Sequence, residues 1–482
     1  MLNRILGVLA VAGMCALSFV LLNCGSSSSR PAGLLYVISE AENNISSFSL
    51  DLDNGGLSLV NSNATTCSTL TGSNPQSCGL AVSMLLDPTG ATAFILNQGV
   101  ACVPGQNCND PCGPPNAQCA SIVPTIYGYT VNSDGSLSAP ATPVVWTHPL
   151  SSTDTHDDAD TALAMVRDSA GAFLFVINKG STPSQSNNFL ADCPQAPTGN
   201  FDACPSISVF STSPGSTGAT LTGNECAGTS TPCSFWLDRI PTALSVLTFT
   251  PPNGGATQTL LFVTSNKDLT SFHNDNELSV YSVDASGNLT ETANSPYTTA
   301  PNPGVVLGVN TNSPPQTTGG VFVYVGAQGS ASGSVSAFQI CTVVGSQGNG
   351  VTCTQQQVQS EELIAVGTPS AAGKNPLAML VDPTNNFLYV ASNGSSQVFA
   401  FQVATGTGLL SPLSPASGPT GAQPVALAMQ TNFNATSNFI YTSNQGGESI
   451  TGFTVSTTTG ALNPNPTTTL FSPGLPSAMA AK

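Results

Sequence analysis

Two short clusters gather side chains whose types could carry acid–base, metal or electrostatic chemistry. His156, Asp157, Asp158 and Asp160 stand together in Asp154-Thr-His-Asp-Asp-Ala-Asp160, and His273, Asp275 and Glu277 form a second group. Arg239, Lys179, Lys267 and Lys374 are four of the seven cations left once Arg4 is set aside. One fitting chemistry is hydrolysis, with His156 or Glu277 activating water, His273 beside them and Arg239 stabilising the oxyanion. A second is a divalent cation site, because Asp157, Asp158 and Asp160 supply hard oxygens suited to Ca²⁺. Their spacing departs from the helix-loop-helix calcium loop, so Ca²⁺ is the only cofactor expected and its signal is weak. The third reading is no chemistry, only a rigid platform for a protein or neutral glycan. Charges collect in loops for solvation alone, so the clusters by themselves do not choose.

The elements that position these residues must be short. Of 482 residues only 7% are charged, against roughly 25% in an ordinary soluble domain, while 40% are hydrophobic. With 46 Gly and 36 Pro, a long helix would be interrupted repeatedly, which favours an all-β chain. Eight Lys+Arg against 25 Asp+Glu give a net charge of -17. A groove following a phosphate backbone needs clustered cations, so nucleic acid is excluded as a main partner.

Residues 1–23 belong to targeting. Arg4 gives a positive start, Ile5 to Leu22 an apolar stretch, and Leu21-Leu22-Asn23-Cys24 ends it. This resembles a bacterial lipoprotein signal, which implies lipidation at Cys24 and an extracytoplasmic, membrane-anchored location in the periplasm or at the outer membrane. An uncleaved N-terminal anchor is the alternative. Residues 24–33, with Gly25 to Ser29, read as a flexible tether, and 34–482 as the folded body. Twelve further cysteines suit export: Cys67/Cys78, the cluster Cys102/Cys108/Cys112/Cys119, Cys193/Cys204, Cys226/Cys233 and Cys341/Cys353. Six disulfides are expected, with the pairing inside the cluster of four left open. Zinc is the rival there, since Cys108-x3-Cys112 has ligand spacing, but no histidine is near.

After residue 33 the chain repeats one sentence. Its clearest copy runs Pro376-Leu-Ala-Met-Leu-Val-Asp-Pro, Phe387-Leu-Tyr-Val-Ala-Ser-Asn393, Gln397-Val-Phe-Ala-Phe-Gln-Val403, then Thr405-Gly-Thr-Gly-Leu-Leu410. Four β-type runs are separated by turn residues. Other copies begin near Leu80, Ala162, Pro241, Pro303 and Pro424, and Leu34-Leu-Tyr-Val-Ile-Ser39 supplies a seventh second run. The first unit lacks its opening run, and the C-terminus ends on an orphan one, Leu475-Pro-Ser-Ala-Met-Ala-Ala481. Pairing that last strand into the first unit closes a ring and removes exposed edges. The expectation is an all-β, seven-bladed β-propeller of four-stranded antiparallel blades, with a linear β-solenoid as the alternative.

The sentence resembles the lactonase-type seven-bladed β-propeller family, which includes bacterial 6-phosphogluconolactonase and the YVTN-repeat propellers. That resemblance implies loops entering inner strands and loops after second strands share one face, the top, where ligands bind. Both clusters of the opening paragraph then fall on top, in blades 3 and 4, with Lys179, Lys267 and Lys374. Asn97, Asn178 and Asn266, which follow or end second strands, add a polar ring. Trp146 and Trp236 could stack on sugars or simply pack. Family enzymes carry His and Arg just before inner strands, whereas the corresponding positions here read Cys78-Gly79, Asp160-Thr161, Ile240-Pro241, Asn302-Pro303, Asn375-Pro376, Gln423-Pro424 and Leu475-Pro476. A phosphosugar lactone is a dianion that wants convergent cations. The expectation is therefore an exported binding or interaction platform and not an active 6-phosphogluconolactonase. The alternative is an extracytoplasmic hydrolase opening an uncharged lactone or sugar derivative through His156, Arg239, His273 and Glu277.

Overall fold

The computed structural model describes residues 33–39, 44–65, 80–98, 124–138, 144–145, 162–179, 205–222, 235–251, 255–268, 276–311, 319–328, 332–346, 351–431, 437–471 and 474–482. They build seven antiparallel sheets of four principal strands, plus one two-stranded ribbon. The innermost strands are Ala81–Leu86, Ala162–Arg167, Arg239–Phe249, Pro303–Asn310, Pro376–Val381, Pro424–Gln430 and Pro476–Ala481. Each packs against the next, and the last packs against the first, so the sheets are blades of a closed ring. Closure is as expected: Pro476–Ala481 pairs antiparallel with Leu34–Ser39, placing Ala481 opposite Leu35 and Pro476 opposite Ser39. The first blade is thus made from both ends of the described chain.

The repeated sentence has a physical cause in packing between blades. Register places Tyr36, Phe94, Phe175, Phe262, Tyr324, Tyr389 and Tyr441 at one equivalent position of the seven second strands. All seven rings are fully buried. Four carry a hydroxyl that must find a partner once buried, and each finds it in the following blade. Tyr36 donates to the Gly135 carbonyl at 3.0 Å, Tyr324 to Gly408 at 2.9 Å, Tyr389 to Gly460 at 2.9 Å and Tyr441 to Gly55 at 2.8 Å. Those glycines all have positive φ, between 67° and 87°, in the turn joining third to fourth strands. The Tyr of one unit and the Gly of the next are therefore two halves of one contact.

Phe94 has no hydroxyl, and blade 3 supplies a substitute. The Arg167 guanidinium lies 5.2 Å from the Phe94 ring centroid and donates to the Gly171 carbonyl at 2.6 Å. Burial lowers the Arg167 pKa, while Asp87 and Asp168 oppose that shift.

The Asp of the repeat closes inner strands onto second strands. Asp87 accepts from the Thr92 amide at 2.9 Å, from the Thr89 hydroxyl at 2.6 Å and from Gly215 of blade 3 at 2.8 Å. Asp382 likewise accepts from the amides of Asn386 and Phe387. Burial alone would raise the Asp87 pKa, but its donors outweigh that and hold the carboxyl below its ordinary value. A depressed folded-state pKa stabilises above the unfolded value, about 3.9, and that stabilisation is lost as pH falls through the folded value. Asp87→Asn is expected to cost about 1–2 kcal/mol at neutral pH. Urea midpoints of variant and parent should converge as pH falls below 4, and a gap that persists in acid would contradict this account.

Of the twelve cysteines expected to pair, Cys341 and Cys353 are bonded, with a Cα–Cα distance of 5.7 Å. They brace the connection between third and fourth strands of blade 5, which carries the ribbon Gly345–Ser346/Thr352–Cys353 and the short helix Gln355–Gln359. Cys67, Cys78, Cys102, Cys108, Cys112, Cys119, Cys193, Cys204, Cys226 and Cys233 lie outside the described residues, as do Cys24 and the whole of 1–32.

Candidate functional site

The top face is where inner strands begin and second strands end. Every inner strand carries the same irregularity near its start: one extra residue stands between two of its ladder pairs with the second strand. The bulged residues are Val82, Leu163, Thr242, Gly304, Leu377, Val425 and Ser477. A bulge re-aims a side chain, and here the polar members reveal the direction. Thr242 donates to the Pro303 carbonyl of the next blade at 2.6 Å, and Ser477 donates to Ala81 of the next blade at 3.1 Å. A Cβ added at Gly304 would likewise meet the Pro376 carbonyl at 3.3 Å. The seven positions form a collar around the axis, and none of them is ionisable.

Bulge register also shifts two expectations. Ala81 and Ala162 occupy the place of Pro376, two positions and one position later than the Gly79 and Thr161 that the repeat pattern aligned there. On that face of blades 5 to 7 the entering residues are amides: Asn302, Asn375 and Gln423, at φ 54°, 55° and 57°. Asn302 and Gln423 are exposed and Asn375 is half-buried. Asn tolerates the left-handed region better than most residues, which accounts for two of the three. Their carbonyls accept from the amides of Gln328, Asn393 and Gln445 at the ends of second strands, tying the two top connections of each blade together. The Asn-Pro repeats were the sequence signal for this rim.

Arg239 and Glu277, expected together, are together: Nε and Oε2 are 2.6 Å apart. Asp238 lies 2.9 Å and Glu291 3.6 Å from Nη1. Glu277 and Tyr281 are four apart on the third strand and share a face, and Glu291 stands opposite Tyr281 on the fourth. That face meets blade 3, where Phe235 sits edge-on to Tyr281 at 5.3 Å. The guanidinium is thus spread over the outer strands of blade 4 in the cleft between blades. Burial works against its charge, yet Asp238, Glu277 and Glu291 hold its pKa above the ordinary value. Glu291 escaped sequence reasoning because strand pairing, not spacing, brings it in, whereas Asp238 directly precedes Arg239 in the chain and was simply passed over.

Arg239 is 16% exposed and Glu277 23%, so removing one partner leaves a partly buried carboxylate. Arg239→Met is expected to destabilise by about 1–3 kcal/mol, below the 3–5 typical of fully buried pairs. Urea denaturation checks it, and an unchanged midpoint would show that the cluster clamps nothing.

The remaining candidates are distributed differently. Asn97 and Asn178 are fully buried, and Asn178 donates to the Ser206 and Ser208 hydroxyls at 3.0 and 3.2 Å. Asn444 repeats this with Ser449 and Thr451, so the amide at this position laces second strand to third. Asn266 and Lys179 are half-buried and Lys374 is exposed. Lys267 lies within the strand Gln258–Asp268, opposite Ile240. His156, His273, Asp157, Asp158 and Asp160 lie outside the described residues.

The comparisons fit this architecture. Residues 274–429 match the family described as lactonase, 7-bladed beta-propeller, and no curated protein matches the chain by sequence. Among solved structures, the chain is similar to a periplasmic gluconolactonase from Pseudomonas aeruginosa (15% identity, TM-score 0.55, 93% of this chain and 98% of that one). It is also similar to a protein from Lactobacillus plantarum (12%, 0.54, 93% and 99%). A third is a Bacteroides uniformis protein provisionally described as a 6-phosphogluconolactonase (12%, 0.52, 93% and 99%). Identities this low speak to fold and not to activity. The described body is therefore a seven-bladed β-propeller, and its residues 274–429 are similar in sequence to the lactonase family.

Proposed function

We propose that this chain is an exported, lipid-anchored propeller whose top face binds a neutral hydrogen-bonding ligand, such as a glycan, or a protein partner, and does not open phosphosugar lactones. One observation carries the reading: the collar Val82, Leu163, Thr242, Gly304, Leu377, Val425 and Ser477 holds no ionisable side chain. A dianionic substrate there would have to meet convergent cations. Arg239, on the same face, already has three carboxylates within 3.6 Å, so little of its charge is left for an oxyanion. The amides of Asn302, Asn375 and Gln423 instead offer paired donors and acceptors, the groups that hold an uncharged polyol.

The test is thermal stability of the purified chain against neutral sugars, lactones and Ca²⁺. A ligand at about 100 times its Kd stabilises by about 2.7 kcal/mol. The expected result is a rise in Tm with a neutral sugar, lost in Asn302→Gly/Asn375→Gly, which removes both amides and keeps the left-handed backbone. Steady consumption of a lactone, abolished by His156→Ala/Glu277→Ala, would overturn the reading in favour of a hydrolase.

A further inference from the structure

The described chain enters the propeller on the face opposite the collar. Gly33 precedes the second strand of blade 1 at its lower end, where its carbonyl accepts from the Leu50 amide at 3.0 Å. A Cβ at Gly33 would meet the Gln430 side chain, at the lower end of the blade 7 inner strand, at 2.9 Å. Lys482 lies on the same face: it exchanges backbone hydrogen bonds with Leu34, and its Nζ donates to the Gly90 carbonyl at 2.8 Å. Entry is therefore close to the axis, only one strand out from the inner ring.

Cys24 and Gly33 are nine residues apart. Fully extended, that stretch spans at most about 30 Å. To bring the top face to a lipid surface, it would first have to run outward past two more strands of blade 1, about 10 Å at the spacing of neighbouring strands. It would then climb the height of the blade, about 20 Å for a strand of six residues, before clearing any top loop. The whole contour is used before the plane of the top is reached.

Resting on the lipid-anchor reading, we infer that the propeller stands with its lower face toward the lipid surface and presents the collar and amide rim away from it, to the aqueous space. The lower face does not insert. Its turns carry the exposed carboxylates of Asp51, Asp53, Asp134 and Asp284, which an anionic bilayer repels, so the body is held near the surface by its tether. The partner of this face is a lipid surface at short range, and the ligand of the top face is one that arrives from solution or from a facing structure.

The test uses the full lipidated chain on vesicles of phosphatidylethanolamine and phosphatidylglycerol. An epitope is inserted either between Ala285 and Ser286, in a lower turn, or between Gly446 and Gly447, in an upper one. Antibody binding to the upper epitope should be the same on vesicles and in detergent. Binding to the lower epitope should be at least about tenfold slower on vesicles, and should recover when 30 Gly/Ser residues are inserted after Ser29. A lower epitope equally accessible in both states, or a shielded upper one, would overturn the orientation while leaving the anchor intact. A chain that stays in solution as fully as its Cys24→Ser variant would overturn the anchor reading itself, and the orientation with it.

Discussion

Deleting Pro476–Lys482 is expected to abolish cooperative folding or to lower Tm by more than about 20 °C, although the segment contains no ionisable side chain except Lys482. It is the inner strand of the first blade, and it pairs with Leu34–Ser39 along the length of both. Ala478 and Met479 are buried, the first beside Tyr36 and Ile38, the second beside Phe439 and Tyr441 of blade 7. Its loss removes a blade's ladder and separates blade 7 from blade 2. Several ladder bonds at about 1 kcal/mol each and a Met side chain at about 1.5–3 kcal/mol already approach the 5–15 kcal/mol total of a typical domain. Adding the peptide Gly474–Lys482 in trans should restore a cooperative melt, which separates ring closure from unspecific damage. A truncated chain that melts like the parent would mean that the ring is held elsewhere.

That strand was legible because the argument for it is one of bookkeeping along the chain: six complete units, a seventh without its first run, and a spare first run at the end. Blade number and strand order follow from the same short-range pattern of β-type runs and turns. What the pattern does not contain is register to within one residue. The bulge at Val82 and its equivalents adds a residue without disturbing hydrophobicity, so the entries to blades 2 and 3 fall two positions and one position away from where the repeats align them. Burial at the end of the second strand is equally invisible, because Asn is a turn residue by composition and becomes an internal donor only when Ser206 and Ser208 are aligned beside it. Arg239 illustrates a third limit. Its pairing with Glu277 follows from both lying on top of blade 4, but Glu291 reaches it only across two strand pairings, and those partners change a free cation into a neutralised one.

Gly460→Ala is expected to cost about 2–4 kcal/mol. Gly460 has φ +67°, a region where a Cβ costs about 1 kcal/mol, and the added Cβ would overlap the Phe387 ring of the preceding blade. Relieving such an overlap in a packed core costs a further 1–3 kcal/mol or so. The turn can only yield by moving away from blade 6, which also stretches the bond from the Tyr389 hydroxyl to the Gly460 carbonyl. Tyr389→Phe alone should cost about 1–2 kcal/mol, since it leaves a buried carbonyl unpaired. Because Gly460→Ala already weakens that bond, the double variant should be less destabilised than the two single effects added, by about 0.5–1 kcal/mol. Gly215→Ala is the control: the same turn in blade 3, at φ +76°, has nothing within 4 Å of the added Cβ, so only the backbone term of about 1 kcal/mol should remain. Urea denaturation of the four variants reads all of these quantities. Equal costs at Gly460 and Gly215 would show that these turns need glycine for its backbone alone, and that the contact between one unit's aromatic strand and the next unit's turn does not hold the blades together.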